Sequence, residues 1–317
     1  MKKILITITL FIISSTSFAT PLLQDYSLLS TRGNTNISGS ISGNIGSSNT
    51  LNMYLGAKIY GDVLYGNFLD PDSNTTTTAI QSPHTANQNI DSSYWNSLYD
   101  DISAASSAAS GMTVDPNNSL SSITGNTVLT GTGDAEPSVF NISGGINLGG
   151  ADTLTLSGSA DEQFIINVDG GATFGIGSSI VLDGGVTANH VLFNIENGDL
   201  QGLGGVKLFG TFLLPNGNLN LSGGASLIGN VLTGGTGTDS ISSGSMMNMS
   251  ISPGTSGIPY TGPTADTATN TVLPGLINPN NGNDSSAISE PTPLFMILLG
   301  LIGLSMITRM RKITYYL

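Results

Sequence analysis

Between residues 138 and 232 the chain alternates short β-prone runs with glycine turns, and the runs recur. Val139-Phe140-Asn141-Ile142, Ile165-Ile166-Asn167-Val168 and Leu192-Phe193-Asn194-Ile195 share the order apolar, apolar, Asn, apolar, with the asparagines 26 and 27 residues apart. A glycine-containing turn follows each: Gly144-Gly145, Gly170-Gly171 and Asn197-Gly198. A second set of runs lies between them, over 153–156, 179–182 and 206–209, and shorter ones over 211–214, 219–221 and 227–232 continue at closer spacing. Units of this length built from two or three short strands predict a β-solenoid, in which each coil pairs with the next. Residues 37–68 repeat the style in smaller phrases: Ile37-Ser38-Gly39, Ile41-Ser42-Gly43 and Ile45-Gly46.

One segment carries a different period. From Asp91, an N-cap residue type, apolar residues fall at Trp95, Leu98, Ile102, Ala105 and Ala109, three and four apart, until Gly111. That stripe predicts one amphipathic helix over 91–110. Trp95, the sole tryptophan, reads as its packing anchor rather than as a ligand platform. The fold expected is mainly β: a right-handed β-solenoid over 20–235 with one packed helix, interrupted by a polar, Thr-rich loop over 70–89. Asn141, Asn167 and Asn194 have two structural readings: an inward-facing hydrogen-bonded ladder between coils, or αL turn residues without one. Stacked coils leave an open edge at each end. The helix and the strands over 37–68 are the expected covers.

Composition narrows the function. Charged residues are 9% of the chain and glycines number 42, which argues against a charged helical enzyme. Eight Lys and Arg oppose 21 Asp and Glu, and five of the eight cations lie at the two ends. Residues 20–289 hold only Arg32, Lys58 and Lys207 against 20 acidic residues, a net charge of −17. Such a body repels phosphate backbones, so nucleic acid is not an expected partner.

The ends read as address segments. Lys2 and Lys3, an apolar run and small residues up to Ala19 make 1–19 a secretory signal peptide cleaved after Ala19. Residues 236–289, rich in Gly, Ser, Thr, Asn and Pro, read as a flexible linker. In 290–317, Glu290 and Pro291 precede an apolar stretch over 294–307, about 21 Å long as a helix, closed by Arg309, Arg311 and Lys312. This C-terminal hydrophobic helix resembles the PEP-CTERM sorting signal, with Ser-Glu-Pro where Pro-Glu-Pro is usual. The resemblance implies transient anchoring in the inner membrane, an exosortase-type transpeptidase as partner, and delivery to the cell surface or the extracellular space. An ordinary C-terminal membrane anchor is the competing reading.

Catalytic chemistry finds few residues. The histidines are His84 and His190, there is no cysteine, and neither spacing nor context suggests a zinc site. The acidic pairs Asp134/Glu136 and Asp161/Glu162 would suit a glycosidase or calcium, though carboxylates in turns are more often simply solvated. No cofactor is expected; calcium use has no support beyond these pairs.

The phrases Val139-Phe140-Asn141, Ile166-Asn167-Val168, Leu192-Phe193-Asn194 and Gly210-Thr211-Phe212-Leu213-Leu214-Pro215 resemble, in that order, the choice-of-anchor A family of bacterial surface proteins. Leu-Pro-Asn here replaces the family's usual Ala-Pro. The resemblance implies a non-catalytic adhesive or structural role on an extracellular polysaccharide or protein matrix. The alternative is the ice-binding β-solenoid family, whose ice face needs rows of Thr or similar residues in register. Thr153 and Thr155 begin such a row, but Ser179 and Val181 occupy the matched places in the next repeat.

Overall fold

The computed structural model describes residues 23, 26–54, 56–66, 68–70, 86–87, 92–133 and 136–247. The signal peptide with Ala19 and the sorting segment with Glu290, Pro291, Arg309, Arg311 and Lys312 lie outside them. Among the described residues every strand pairing is parallel, and the strands stack as the coils of a three-faced β-solenoid with one α-helix, Ser92–Ser110. Among the described residues no helix is long and apolar enough to cross a membrane.

The coils do not stack in chain order. They run from Ser119–Leu120 and Thr127–Thr130 through the repeats to the coil formed by the second half of Ser226–Thr233, then Thr238–Ser242 and Ser245–Met247. The next coil in space is the first in sequence: Tyr26–Ser30, Asn34–Ile37 and Ser40–Ser42. Asn44–Ser47, Thr50–Met53 and Lys58–Tyr60 follow, then Val63–Tyr65 and Phe68–Asp70, with Ala86–Asn87 at the end of the row. The strands over 37–68 are therefore coils of the stack, not a cover over its end.

This order explains the helix. The chain leaves one end of the stack near Asn87 and must return to the other end before it can lay down Ser119–Leu120. A helix of 19 residues spans about 28 Å, close to six strand spacings of about 4.8 Å. Its stripe of Trp95, Leu98, Ile102, Ala105 and Ala109 packs on Tyr26, Leu29, Leu232, Leu213, Leu192, Ile165 and Val139, one or two residues from each of six successive coils. The helix lies along a side of the solenoid and covers no open edge. Trp95 is buried at its start, beside Gly46 and Gly66.

Two expected boundaries move. Thr238–Ser242 and Ser245–Met247 complete a coil and supply the strands on which the N-terminal coil docks, so the solenoid runs through 247 and not 235. Polar composition suggested a linker because only alternate residues of these strands, such as Ile241 and Met246, face the core. Ala86–Asn87, within the expected loop, pairs with Val63–Tyr65.

From Asn141 onward the coils shorten along the stack. The repeat is 26 or 27 residues from Asn141 to Asn194, then 19 from Asn194 to Leu213, and 17 and 18 from Leu28 to Ile45 to Val63. One corner accounts for most of the change. Between Asp183 and Val191 it takes seven residues, whereas in Lys207–Leu214 and Ser226–Thr233 a single strand bends through it at Gly210 and Gly229, both at positive φ. A Cβ on Gly229 would stand 1.8 Å from the Gly210 carbonyl oxygen, so this corner needs glycine.

Inside, apolar side chains stack coil on coil, including Phe140 on Phe164 and Phe193 on Phe212. Among the buried polar side chains, Asp239 is a fully buried acid. It accepts hydrogen bonds from the Leu219 N–H at 2.7 Å and the Thr233 hydroxyl at 2.7 Å. Burial pushes its carboxyl up to about 6, with the Asp199 charge adding to the rise and the hydrogen bonds opposing it.

Candidate functional site

The helix occupies one of the three solenoid faces. Asn141, Asn167 and Asn194 lie on this face, pointing out of the coil toward the helix. Asn167 Nδ2 donates to Asn141 Oδ1 at 3.1 Å, and Asn194 Nδ2 donates to Asn167 Oδ1 at 3.0 Å. The row also binds the helix: Asn167 donates to the Ala109 carbonyl, Asn194 donates to the Ser106 carbonyl, and the Ser106 hydroxyl donates to Asn194 Oδ1 at 2.6 Å. The asparagines thus tie the final turns of the helix to the sheet, a place where their amides would otherwise be buried unpaired. The helix covers this face across six coils.

The second face is open and polar. Its inward positions, such as Ile146, Leu148, Leu219, Leu221, Ile241 and Ile37, are buried. Strand alternation sends the residues between them outward. In register these are Asn147, Thr173, Gln201, Asn220, Ser240, Asn36 and Asn52, one from each of seven successive coils. At about 4.8 Å per coil the row is about 29 Å long, and it contains no ionisable residue. Asp70 continues the register beyond Asn52. A parallel row of hydroxyls, with Ser222 beside Ser242, flanks it, and the Ser38 N–H bonds the Ile241 carbonyl to carry that row across the junction. The corner row beside it does structural work: Asn34 Oδ1 accepts from the Thr50 N–H, and Asp199 Oδ1 from the Asn218 N–H. Asn52 Nδ2 donates to Asn36 Oδ1 at 2.9 Å, so neighbouring amides hold each other's orientation.

The third face is open too but mixed. Thr153 pairs with Ser179 and Thr155 with Val181, so the threonine row stops after one coil. Val128, Val181 and Ile228 stand exposed on it, by 62%, 38% and 38%. Lys58, Lys207 and Asp183 also project there. The outward row of Val128, Thr155 and Val181 and the pair Phe209 and Ile228 are largely apolar, while Lys207 and Lys58 interrupt the row of Thr153 and Ser179 beside them and Asp183 pairs with Ser157.

Other candidates gather no chemistry. His84 and Asp134 lie outside the described residues. Glu162 is buried and bridges two stacked corners, accepting from the Ser138 hydroxyl at 2.6 Å and the Gly133 N–H at 3.1 Å. His190 is buried at the next corner; burial pushes its imidazole down, against the Ala160 backbone and the Asp161 charge. Among the described residues no group of three His, Cys, Asp or Glu could hold a metal.

Sequence reading missed the polar face because its residues come from both ends of the solenoid sequence. The signal was present as a five-residue phrase: Asn34-Thr35-Asn36-Ile37-Ser38, Asn218-Leu219-Asn220-Leu221-Ser222 and Thr238-Asp239-Ser240-Ile241-Ser242, with Thr50-Leu51-Asn52-Met53-Tyr54 as its variant. Only the splice between the first and last coils makes these four neighbours.

Comparison with known proteins adds a family. A model described as "Putative Ice-binding-like adhesive domain" matches residues 9–240. The match falls on the family held above as the alternative; it does not show the choice-of-anchor A assignment or the sorting signal. No curated protein matches the sequence. Among solved structures, the chain is similar to an ice-binding protein from the Antarctic ascomycete Antarctomyces psychrotrophicus, at 16% identity over 72% of this chain and 96% of that one, with a TM-score of 0.48. An ice-binding protein from an Arctic yeast gives 19% identity, 73% and 93% coverage and a TM-score of 0.49. One from an Antarctic bacterium of the Flavobacteriaceae gives 20%, 77% and 52%, and 0.49.

Proposed function

The chain belongs to the family of ice-binding-like adhesive domains, and from that premise we propose that it is a non-catalytic exported protein that binds ice through its open polar face. The observation that carries this reading is the seven-coil row from Asn147 to Asn52, uncharged and held in register by parallel pairing. A crystalline surface offers each side chain only a weak contact, so binding requires many groups to engage at once without first being ordered. A continuous parallel sheet fixes those groups at one spacing. Amides and hydroxyls carry both donors and acceptors, which an ordered water lattice also presents, and they give up hydration at lower cost than ions. The mixed third face, with Lys58, Lys207 and Asp183, meets these requirements less well.

Adhesion and ice binding then describe one activity, attachment of a cell or its matrix to ice. In this reading the signal peptide and the sorting segment deliver the solenoid to the surface through an exosortase-type transpeptidase and a transient stay in the inner membrane. Mass spectrometry of the mature protein tests the delivery: a chain ending before Leu317 is expected, and an intact C-terminus at the final location contradicts it. Thermal hysteresis and recrystallisation assays test the activity itself. Inhibition of ice growth at micromolar protein is expected, whereas retention on an extracellular polysaccharide without any effect on ice would return the function to matrix adhesion.

A further inference from the structure

A groove lies where the helix meets the corner between the helix face and the polar face. It is an open groove of about 480 Å³, lined by Tyr99, Ser103 and Ser107 of the helix and by Glu196, Asn197 and Asn216 of two successive coils. That volume falls in the range of small-molecule sites, roughly 300–1,000 Å³.

Three polar side chains of the lining, Glu196, Asn197 and Asn216, are held from behind, leaving one side unused. Glu196 Oε1 accepts from the Ser110 hydroxyl at 2.6 Å, and Asn216 Nδ2 donates to the Glu196 carbonyl at 3.0 Å. Asn197 Nδ2 donates to Asp169 Oδ1 at 2.7 Å. The remaining capacity is therefore rich in acceptors: Glu196 Oε2, Asn197 Oδ1 and Asn216 Oδ1. The lining serines add little to this: Ser106 gives its proton to Asn194 Oδ1, Ser107 to the Ser103 carbonyl and Ser110 to Glu196 Oε1, and the Ser103 Oγ is buried. The Tyr99 ring is fixed between Gly234 and the Arg32 guanidinium, which sits 4.6 Å from its centroid.

Fixed acceptors beside an aromatic edge suit a ligand that presents several O–H donors and no negative charge. An anion would meet the Glu196 carboxylate. We propose that this groove binds a neutral saccharide, such as a sugar unit of a cell-surface or matrix glycan, independently of the polar face. A solenoid with both sites would hold ice on one face and a glycan at its corner.

The test is saturation-transfer NMR and calorimetric titration of the full chain with maltotriose, cellotriose and mannotriose, with trigalacturonic acid as the acidic comparator. At least one neutral trisaccharide is expected to bind in the millimolar range or tighter. Glu196→Ala and Asn216→Ala should each weaken it about tenfold, the loss of one hydrogen bond to a charged or fixed group. Asn220→Lys on the polar face should leave sugar binding unchanged while reducing ice activity, which separates this proposal from the ice reading. Absence of binding to all three neutral sugars, binding unaltered by both alanine replacements in folded protein, or equal binding of trigalacturonic acid would each overturn it.

Discussion

In the coils between Ser119 and Phe209, the corner leading onto the helix face is a loop of six or seven residues, as over 158–163 and 184–190; beyond Gly210 a glycine or two suffice. The wide half spends its extra residues on buried polar links between corners, such as Glu162 with Ser138 and Gly133. The narrow half makes its corner links from residues at the strand ends, such as Asn44 with the Asp62 N–H, and three of its strands expose the Asn/Thr-x-Asn/Ser-x-Ser phrase. The polar row nevertheless crosses the boundary without a break, because Thr173 pairs with Gln201 and Gln201 with Asn220. A solenoid can therefore shed a corner and keep a face, since register is set strand by strand and not by coil perimeter.

The most severe way to break the narrow half is at its corner. Gly229→Val places a side chain against the Gly210 carbonyl at a backbone angle of φ +149°. We expect a loss of about 4–5 kcal/mol or failure to fold. Gly125→Ala in the wide half, where an added Cβ meets nothing within 4 Å, should shift the melting midpoint by less than about 2 °C. Chemical denaturation of both variants checks the contrast.

The two halves should also answer pH in opposite directions. Asp239 titrates at about 6 in the fold against 3.8 as a free side chain. The folded state thus holds more protons in that window, and stability falls as pH rises from about 4 to about 6, by about 3 kcal/mol. His190 is pushed below its ordinary 6.5, so the unfolded chain holds more protons there and stability falls as pH drops below that value. Asp239→Asn should abolish the first slope, and His190→Gln the second, in denaturation curves taken across the range. Persistence of the first slope in Asp239→Asn would assign it to another group.

A smaller effect is expected where the helix meets the wide half. Asn194→Ala leaves the Ser106 hydroxyl and Asn167 Oδ1 without their partner beneath the helix, at a cost of about 2–3 kcal/mol. Hydrogen exchange should show the last helical turns opening first.

The wide half was legible in the sequence for the same reason that it is wide. Its 26- and 27-residue units carry Asn141, Asn167 and Asn194 at one position, and the helix stripe from Trp95 to Ala109 has its own period. What could not be read was order in space. Nothing in residues 26–60 indicates that Leu28 lies beside Val231, because pairing between parallel strands depends on which edge is free when the chain returns. The same gap turned coils into expected caps and strands 238–247 into an expected linker. It also hid the site, for a row that alternates between distant stretches of sequence has no period to detect. The conspicuous asparagine repeat, expected to be structural, serves the helix, and the less conspicuous Asn36, Asn52, Asn147 and Asn220 face outward.

Substitutions on the open faces should leave stability within about 0.5 kcal/mol of the parent, which makes them the sharpest probe of function. The direct measurement is ice-affinity partitioning of three folded proteins: the parent chain, Asn220→Lys/Ser240→Lys on the polar face, and Val181→Lys on the third face. The account predicts that the parent and Val181→Lys enter the ice fraction and that the double variant stays in the liquid. Equal partitioning of the double variant and the parent, or loss only in Val181→Lys, would contradict it.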